Sequence, residues 1–288
     1  MNGDAAYFRD RFQKMFFLCA LAFAVSATTV IDVTVPLLLT EVAKTFHVQI
    51  GAAASIRSSS AIAGVIFGLL AAVFSTRFKH KWLLVGGLCF ESIAAVGSYF
   101  APSLDFANLA FFSEGAGSVI VAAMAYSLIG EYYPPEKRGK AIGWISAAGA
   151  MTFIITSIPI GLIADVGGWR SVMLWLVLPA SLVSILFAFL VIPSKSYEKQ
   201  TDSRPELLAG IKQTFSNRSA VASLLGTMLF YASTAISVYL VSFWKNQFAI
   251  NNGVGAATIM VNSSISAVCC IAAGRLINQT GQKSMALI

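Results

Sequence analysis

The chain has 288 residues, of which 57% are hydrophobic and only 11% are charged, whereas soluble domains carry about 25% charged residues. This composition excludes an ordinary soluble enzyme or binding module and predicts a polytopic membrane protein. The net charge of +7 would suggest a nucleic-acid partner in a soluble protein. Basic loops on one side of a membrane explain the charge here, so we expect no nucleic acid.

Eight apolar runs are each long enough to cross a bilayer, which takes roughly 20 helical residues. Barrel strands would instead alternate apolar and polar residues over about ten positions, and these runs do not. Because only helices and closed barrels satisfy the backbone in lipid, the runs predict helices. The first is too long for the apolar region of a signal peptide. The predicted spans are 15–39, 51–75, 82–101, 106–130, 141–164, 171–192, 219–243 and 252–274.

The distribution of lysine and arginine predicts the orientation of these spans. Sixteen of the 20 lysines and arginines lie before the first span or in alternate loops after it. Basic residues accumulate on the cytoplasmic side, so we expect a cytoplasmic N-terminus in an inner or plasma membrane. The other four are Lys44, Arg57, Arg170 and Lys245.

A polar, charged segment at 193–218 divides the chain. The composition predicts a six-helix bundle at 1–192, a cytoplasmic linker at 193–218, and a second unit at 219–288 with two helices and the start of a third.

Several motifs resemble those of the major facilitator superfamily. Glu114-Gly115 lies where the family has glutamine-glycine, and Asp32–Pro36 is similar to the signature of its first helix. The loops Tyr133–Ala141 and Asp165–Arg170 and the loop signature Gly274–Lys283 are also similar. Within this family the chain most resembles the twelve-helix drug/proton antiporter branch. The resemblance implies an all-α fold with a complete six-helix N-terminal bundle and the first two helices of the C-terminal bundle.

The loop after the second span departs from the family pattern. Ala72, Thr76 and Lys79 stand where the family has glycine, aspartate and glycine. The aspartate normally helps to close the cytoplasmic gate, so this change bears on that gate. The resemblance gives these candidates for gating residues in the two corresponding loops: Arg77, Lys81, Gly274, Arg275, Asn278, Gly281 and Lys283.

The family has twelve spans and this sequence has eight. We therefore expect the remaining helices to come from a longer chain or from a second subunit.

Four ionisable residues lie inside predicted spans, where a charge costs several kcal/mol and therefore marks a candidate functional site. Glu114 could take up and release a proton, or it could be a structural carboxyl. Asp32 and Arg57 lie at similar predicted depth and could form a pair; Asp32 could instead bind substrate or a proton. Glu91 is either functional or paired with a group in span two or four. The candidates for substrate or proton binding are thus Asp32, Arg57, Glu91 and Glu114.

These features predict secondary transport of a small solute by alternating access, with coupling to protons as a hypothesis. A membrane sensor or assembly subunit built on the same helices is the alternative. A membrane-embedded enzyme is not expected, because the sequence shows no nucleophile paired with a base. It also shows no phosphate loop and no ligands at metal spacing, so we expect neither a cofactor nor a metal.

Overall fold

The computed structural model describes residues 2–193, 215–248 and 250–265, and these residues form helices without any strand. We number the helices α1 Asn2–Thr45, α2 Ile50–Ala53, α3 Ser55–Phe74, α4 His80–Tyr99, α5 Leu104–Tyr132, α6 Pro135–Val172, α7 Leu178–Val191, α8 Arg218–Phe248 and α9 at residues 252–265. A short π-helical segment, Met173–Val177, joins α6 to α7.

Five helical stretches of the described chain are long and apolar enough to cross a membrane: Met15–Thr45, Ile50–Phe74, His80–Tyr99, Leu104–Tyr132 and Lys137–Val191. The fifth has 55 residues, or about 80 Å at 1.5 Å per residue, far more than one crossing needs. It is interrupted at Gly168, whose φ of 71° and ψ of 177° are not helical. This stretch therefore contains the two spans that the sequence predicts at 141–164 and 171–192.

The break between α5 and α6 is shorter than the sequence suggests. The charged residues and prolines of Glu131–Lys140 predict a solvent-exposed loop over this range. In the structure, only Tyr133 and Pro134 lie outside the two helices. Pro135 occupies the first turn of α6, where a proline fits because its missing N–H would have no helical acceptor. Arg138 donates to the carbonyl oxygens of Gly130 (2.7 Å) and Tyr133 (3.0 Å), and so satisfies acceptors at the end of α5.

Helix α1 also extends beyond its predicted end. The polar residues Glu41 and Lys44 suggest an end at 39, whereas the helix continues to Thr45. Asp32 is therefore about 20 Å from this end of the helix and about 26 Å from Met15. Asp32 thus lies near the middle of the apolar stretch Met15–Thr45.

The bundle is organised around α1 and α5. Helix α5 packs against α3 and α4, while α1 packs against α6, α7, α5 and α8, and α4 contacts α7. Two clusters of buried apolar side chains fill the spaces between them. One includes residues 30–43 of α1 and the other includes residues 17–27, so the core runs along this helix.

Some predicted features lie outside the described residues. These are most of the linker at 193–218, the last part of the predicted span 252–274, and the gating candidates Gly274, Arg275, Asn278, Gly281 and Lys283.

Candidate functional site

Asp32 on α1 and Arg57 on α3 form the ion pair that the sequence suggests. Arg57 Nη1 lies 2.9 Å from Asp32 Oδ1. Both side chains are partly exposed, Arg57 by 33% and Asp32 by 39%. The pair is thus formed at a place that water or a small solute can reach.

Glu114 lies beside this pair and is buried, with 2% of its surface exposed. It interacts electrostatically with Asp32 and Arg57, and its carboxyl is hydrogen-bonded to the Ser60 side chain. Its Oε2 has no hydrogen-bond partner among the described residues. Glu114 is therefore incompletely satisfied and close to a cation and an anion.

The next residue explains how α5 brings Glu114 so close to α3. A Cβ atom on Gly115 would lie 1.9 Å from the carbonyl oxygen of Ser60, so only glycine allows this approach of the two backbones. Gly64 lies one turn further along α3, and its Cβ position is 3.1 Å from Val119 Cγ2. The glycines thus bring the helices that carry Arg57 and Glu114 into direct contact.

Glu91 on α4 is fully buried, with 0% of its surface exposed. Neither carboxylate oxygen has a hydrogen-bond partner within the part of the chain that the structure describes. Its Cγ lies 3.1 Å from the Cβ position of Gly117 on α5, and its carboxyl interacts electrostatically with Glu114 and Asp32. Glu91 therefore lies in the interior of the bundle.

The four intramembrane candidates therefore interact electrostatically, although each lies on a different helix. We refer to Asp32, Arg57, Glu91 and Glu114 as the carboxylate cluster. It contains three acids and one base, so an added proton or a cationic group would reduce the imbalance of charge. This is the chemistry expected of a site that binds and releases a proton or a cation.

Two gating candidates lie at the other end of the bundle. Arg77 is exposed in the turn between α3 and α4. Lys81 donates from Nζ to the carbonyl oxygen of Phe189 on α7 (2.8 Å) and lies over the ring of the same residue. Lys81 thus joins α4 to α7, which both precede the predicted linker at 193–218.

A second polar cluster was not predicted from the sequence. Lys245 on α8 contacts Glu41 on α1 and Asn252 on α9, and Asn252 contacts Asp165 on α6. These residues lie at helix ends, where charged groups are ordinary. One signal was present: Lys245 is among the four lysines and arginines that lie outside the segments predicted to be cytoplasmic.

Membrane-length helices around buried ionisable groups define a multi-pass helical membrane protein. The family model of the Major Facilitator Superfamily matches residues 10–288. The chain therefore belongs to the Major Facilitator Superfamily, and the predicted all-helical fold is confirmed.

Two curated relatives are similar over part of the sequence. The chain is 28% identical over 138 residues to the uncharacterized MFS-type transporter YfhI of Bacillus subtilis, covering 47% of this chain and 34% of that protein. It is 25% identical over 234 residues to protein spinster homolog 1 of Mus musculus, covering 77% of this chain and 43% of that one. The chain thus spans less than half the length of these relatives.

Solved structures share the fold at low sequence identity. A bacterial homolog of the human lysosomal transporter Spinster, in an inward-facing and unoccupied conformation, matches with a TM-score of 0.75 and 16% identity over 94% of this chain and 64% of that chain. A D-xylose-proton symporter matches with a TM-score of 0.68 and 19% identity over 94% of this chain and 70% of that chain.

Proposed function

We propose that the chain forms the substrate-binding half of a secondary transporter that moves a small solute by alternating access. The carboxylate cluster carries this proposal, because it places four ionisable groups where the membrane makes them costly. Such groups in the interior of a transporter bundle mark ion and substrate pathways. The remaining helices would come from a longer chain or from a second subunit, with the N-terminus in the cytoplasm.

The proposal also includes coupling of solute transport to protons. Glu114 and Asp32 are the proton carriers, and Arg57 positions Asp32 and compensates its charge. A proton on Glu114 would weaken its interaction with Arg57, and so link protonation to the arrangement of α1, α3 and α5. The relationship to the D-xylose-proton symporter in fold is consistent with this coupling. The placement in the drug/proton antiporter branch rests on the sequence motifs alone.

The test uses the full chain in liposomes that contain a trapped pH-sensitive dye. Candidate solutes from several chemical classes are added under a pH gradient, and the expected result is a solute-dependent change of internal pH. The variants Glu114→Gln and Asp32→Asn should each abolish this change. Asp105→Asn is the matched control, because Asp105 is an exposed acid in the first turn of the same helix as Glu114.

Two outcomes contradict different parts of the proposal. If both carboxyl variants leave the solute-dependent pH change intact, the coupling does not run through these residues. If no labelled solute exchanges across the membrane in counterflow, transport itself is refuted, and a role as sensor or assembly subunit replaces it.

A further inference from the structure

Lys245 lies near the end of α8, and its charge is almost enclosed, because only 8% of its side chain is exposed. Its Nζ donates to the backbone carbonyl oxygen of Leu37 on α1 and to Oδ1 of Asn252 on α9. The same atom lies 3.8 Å from a carboxylate oxygen of Glu41. Lys245 on α8 thus contacts both α1 and α9.

Asn252 extends these contacts to a further helix. Its Nδ2 donates to Asp165 Oδ1 at 2.6 Å, and its side chain is also hydrogen-bonded to Glu41. Two carboxylates therefore surround one ammonium group, with an amide connecting them. We call Glu41, Asp165, Lys245 and Asn252 the Lys245 cluster, which joins α1, α6, α8 and α9.

An apolar layer lies directly beneath this cluster. Val241 and Ala256 are buried and belong to the same apolar cluster as Leu37 of α1. The glycines of this region keep the helices close: the Cβ position of Gly255 is 3.0 Å from Leu37 Cδ1, and that of Gly161 is 3.2 Å from the carbonyl oxygen of Asn252. At this end, α8 and α9 are therefore packed tightly against α1 and α6.

The cluster lies at the end of the bundle opposite the basic turn Arg77–Lys81. By the distribution of basic residues this is the outer end. In an alternating-access cycle, α8 and α9 must at one stage separate from α1 and α6 at this end. The contacts of Lys245 with Leu37 and Glu41, and that of Asn252 with Asp165, would then be broken, since they join α8 and α9 to α1 and α6.

We propose that the Lys245 cluster is the outer gate, which holds α8 and α9 against α1 and α6 in the closed state. Lys245 is its central positioning residue, and Asn252 connects it to Asp165. This inference rests on the proposed alternating access. Its test follows conformation without any substrate, so a failure of the gate is distinguishable from a failure of transport.

The test measures how fast a membrane-impermeant maleimide, added from outside, labels a cysteine at Ser242. Ser242 is 2% exposed and lies one turn inside Lys245 on α8. Labelling therefore requires the outer end to open. The background is the full chain in liposomes with the native cysteines replaced by serine: Cys19, Cys89, Cys269 and Cys270.

Lys245→Met removes the cation and should increase the labelling rate about fivefold or more, as expected for a coupling of typical size. Lys140→Met is the control, because Lys140 is an exposed lysine on α6 at the opposite end of the bundle. Its labelling rate should equal that of the background protein.

Asn252→Ala is a second variant that tests the connection independently of the lysine charge. It should also increase the labelling rate, and it keeps the inference testable if Lys245→Met does not fold. If Lys245→Met and Asn252→Ala fold and their labelling rates are unchanged, the proposal of an outer gate is overturned. An equal increase in Lys140→Met also overturns it, since the effect would then come from charge in general.

Discussion

A Cβ atom on Gly115 would lie only 1.9 Å from the carbonyl oxygen of Ser60. This carbonyl belongs to the backbone of α3 and cannot move aside as the end of a flexible side chain can. The two helices therefore touch at a point where the smallest residue is required. Arg57 and Glu114 lie next to this contact, on α3 and α5 respectively, so their relationship depends on it.

Gly115→Ala should destabilise the protein by about 1–3 kcal/mol, the usual effect of an overpacked contact. The control is Gly130→Ala in the same helix, because no atom outside its own helical backbone lies within 4 Å of that Cβ position. The control should be neutral or more stable by up to about 1 kcal/mol, since alanine favours helix. Thermal unfolding in detergent measures both. Equal stability of the two variants would contradict the close approach.

The Asp32–Arg57 pair should show a measurable coupling in a double-mutant cycle. Arg57→Gln leaves Asp32 and Glu114 without their cation, so it should destabilise more than Asp32→Asn. Adding Asp32→Asn to Arg57→Gln should recover part of the loss, with a coupling of about 1 kcal/mol. The value is modest because both side chains are partly exposed and solvent screens them. Thermal unfolding of the four proteins gives the coupling.

The cycle has an internal control. Asp105 lies in the first turn of α5, and combining Asp105→Asn with Arg57→Gln should give additive effects. A coupling of the same size for this pair would mean that the measured interaction is not specific to Asp32.

Glu91→Leu should make the protein more stable. Both carboxylate oxygens lack a hydrogen-bond partner among the described residues, and such a buried polar group costs about 1–3 kcal/mol. A leucine of similar size removes that penalty. Glu91→Gln is the matched control, because it keeps polar atoms at the same place and should bring little gain. A loss of stability in Glu91→Leu would show that the carboxyl has a favourable partner.

Gly168→Ala should destabilise the break inside α6. The φ of 71° and ψ of 177° at Gly168 are essentially restricted to glycine, so another residue costs about 1–3 kcal/mol. Gly143→Ala in the same helix is the control, since its Cβ position has open space and its φ is not positive. Equal unfolding temperatures for the two variants would argue against this backbone conformation.

The fold and the carboxylate cluster were largely predictable because each has a physical signal in the sequence. Long apolar runs must be helices in lipid, and charges such as Glu114 within such runs are rare enough to attract notice. Whether Glu91 is functional or paired stayed open, because sequence alone does not give the rotation of a helix about its axis.

The Lys245 cluster was not predicted for a different reason. Its members lie at the ends of four helices, where polar residues need no explanation. These residues come together only because α8 and α9 pack against α1 and α6. The sequence does not show directly which distant helices pack against each other. Helices α1 and α6 extend beyond the predicted spans 15–39 and 141–164, because polar residues and a first-turn proline both fit a helix.

The contact between Lys245 and the carbonyl oxygen of Leu37 joins residues that are 208 positions apart. At a synthesis rate of about 5–20 residues per second, the ribosome needs roughly 10–40 s to make the intervening chain. During this time the end of α1 that carries Leu37 and Glu41 is already formed but has no partner from α8. The nascent chain therefore leaves this end of α1 without its contacts to α8 until α8 has been made.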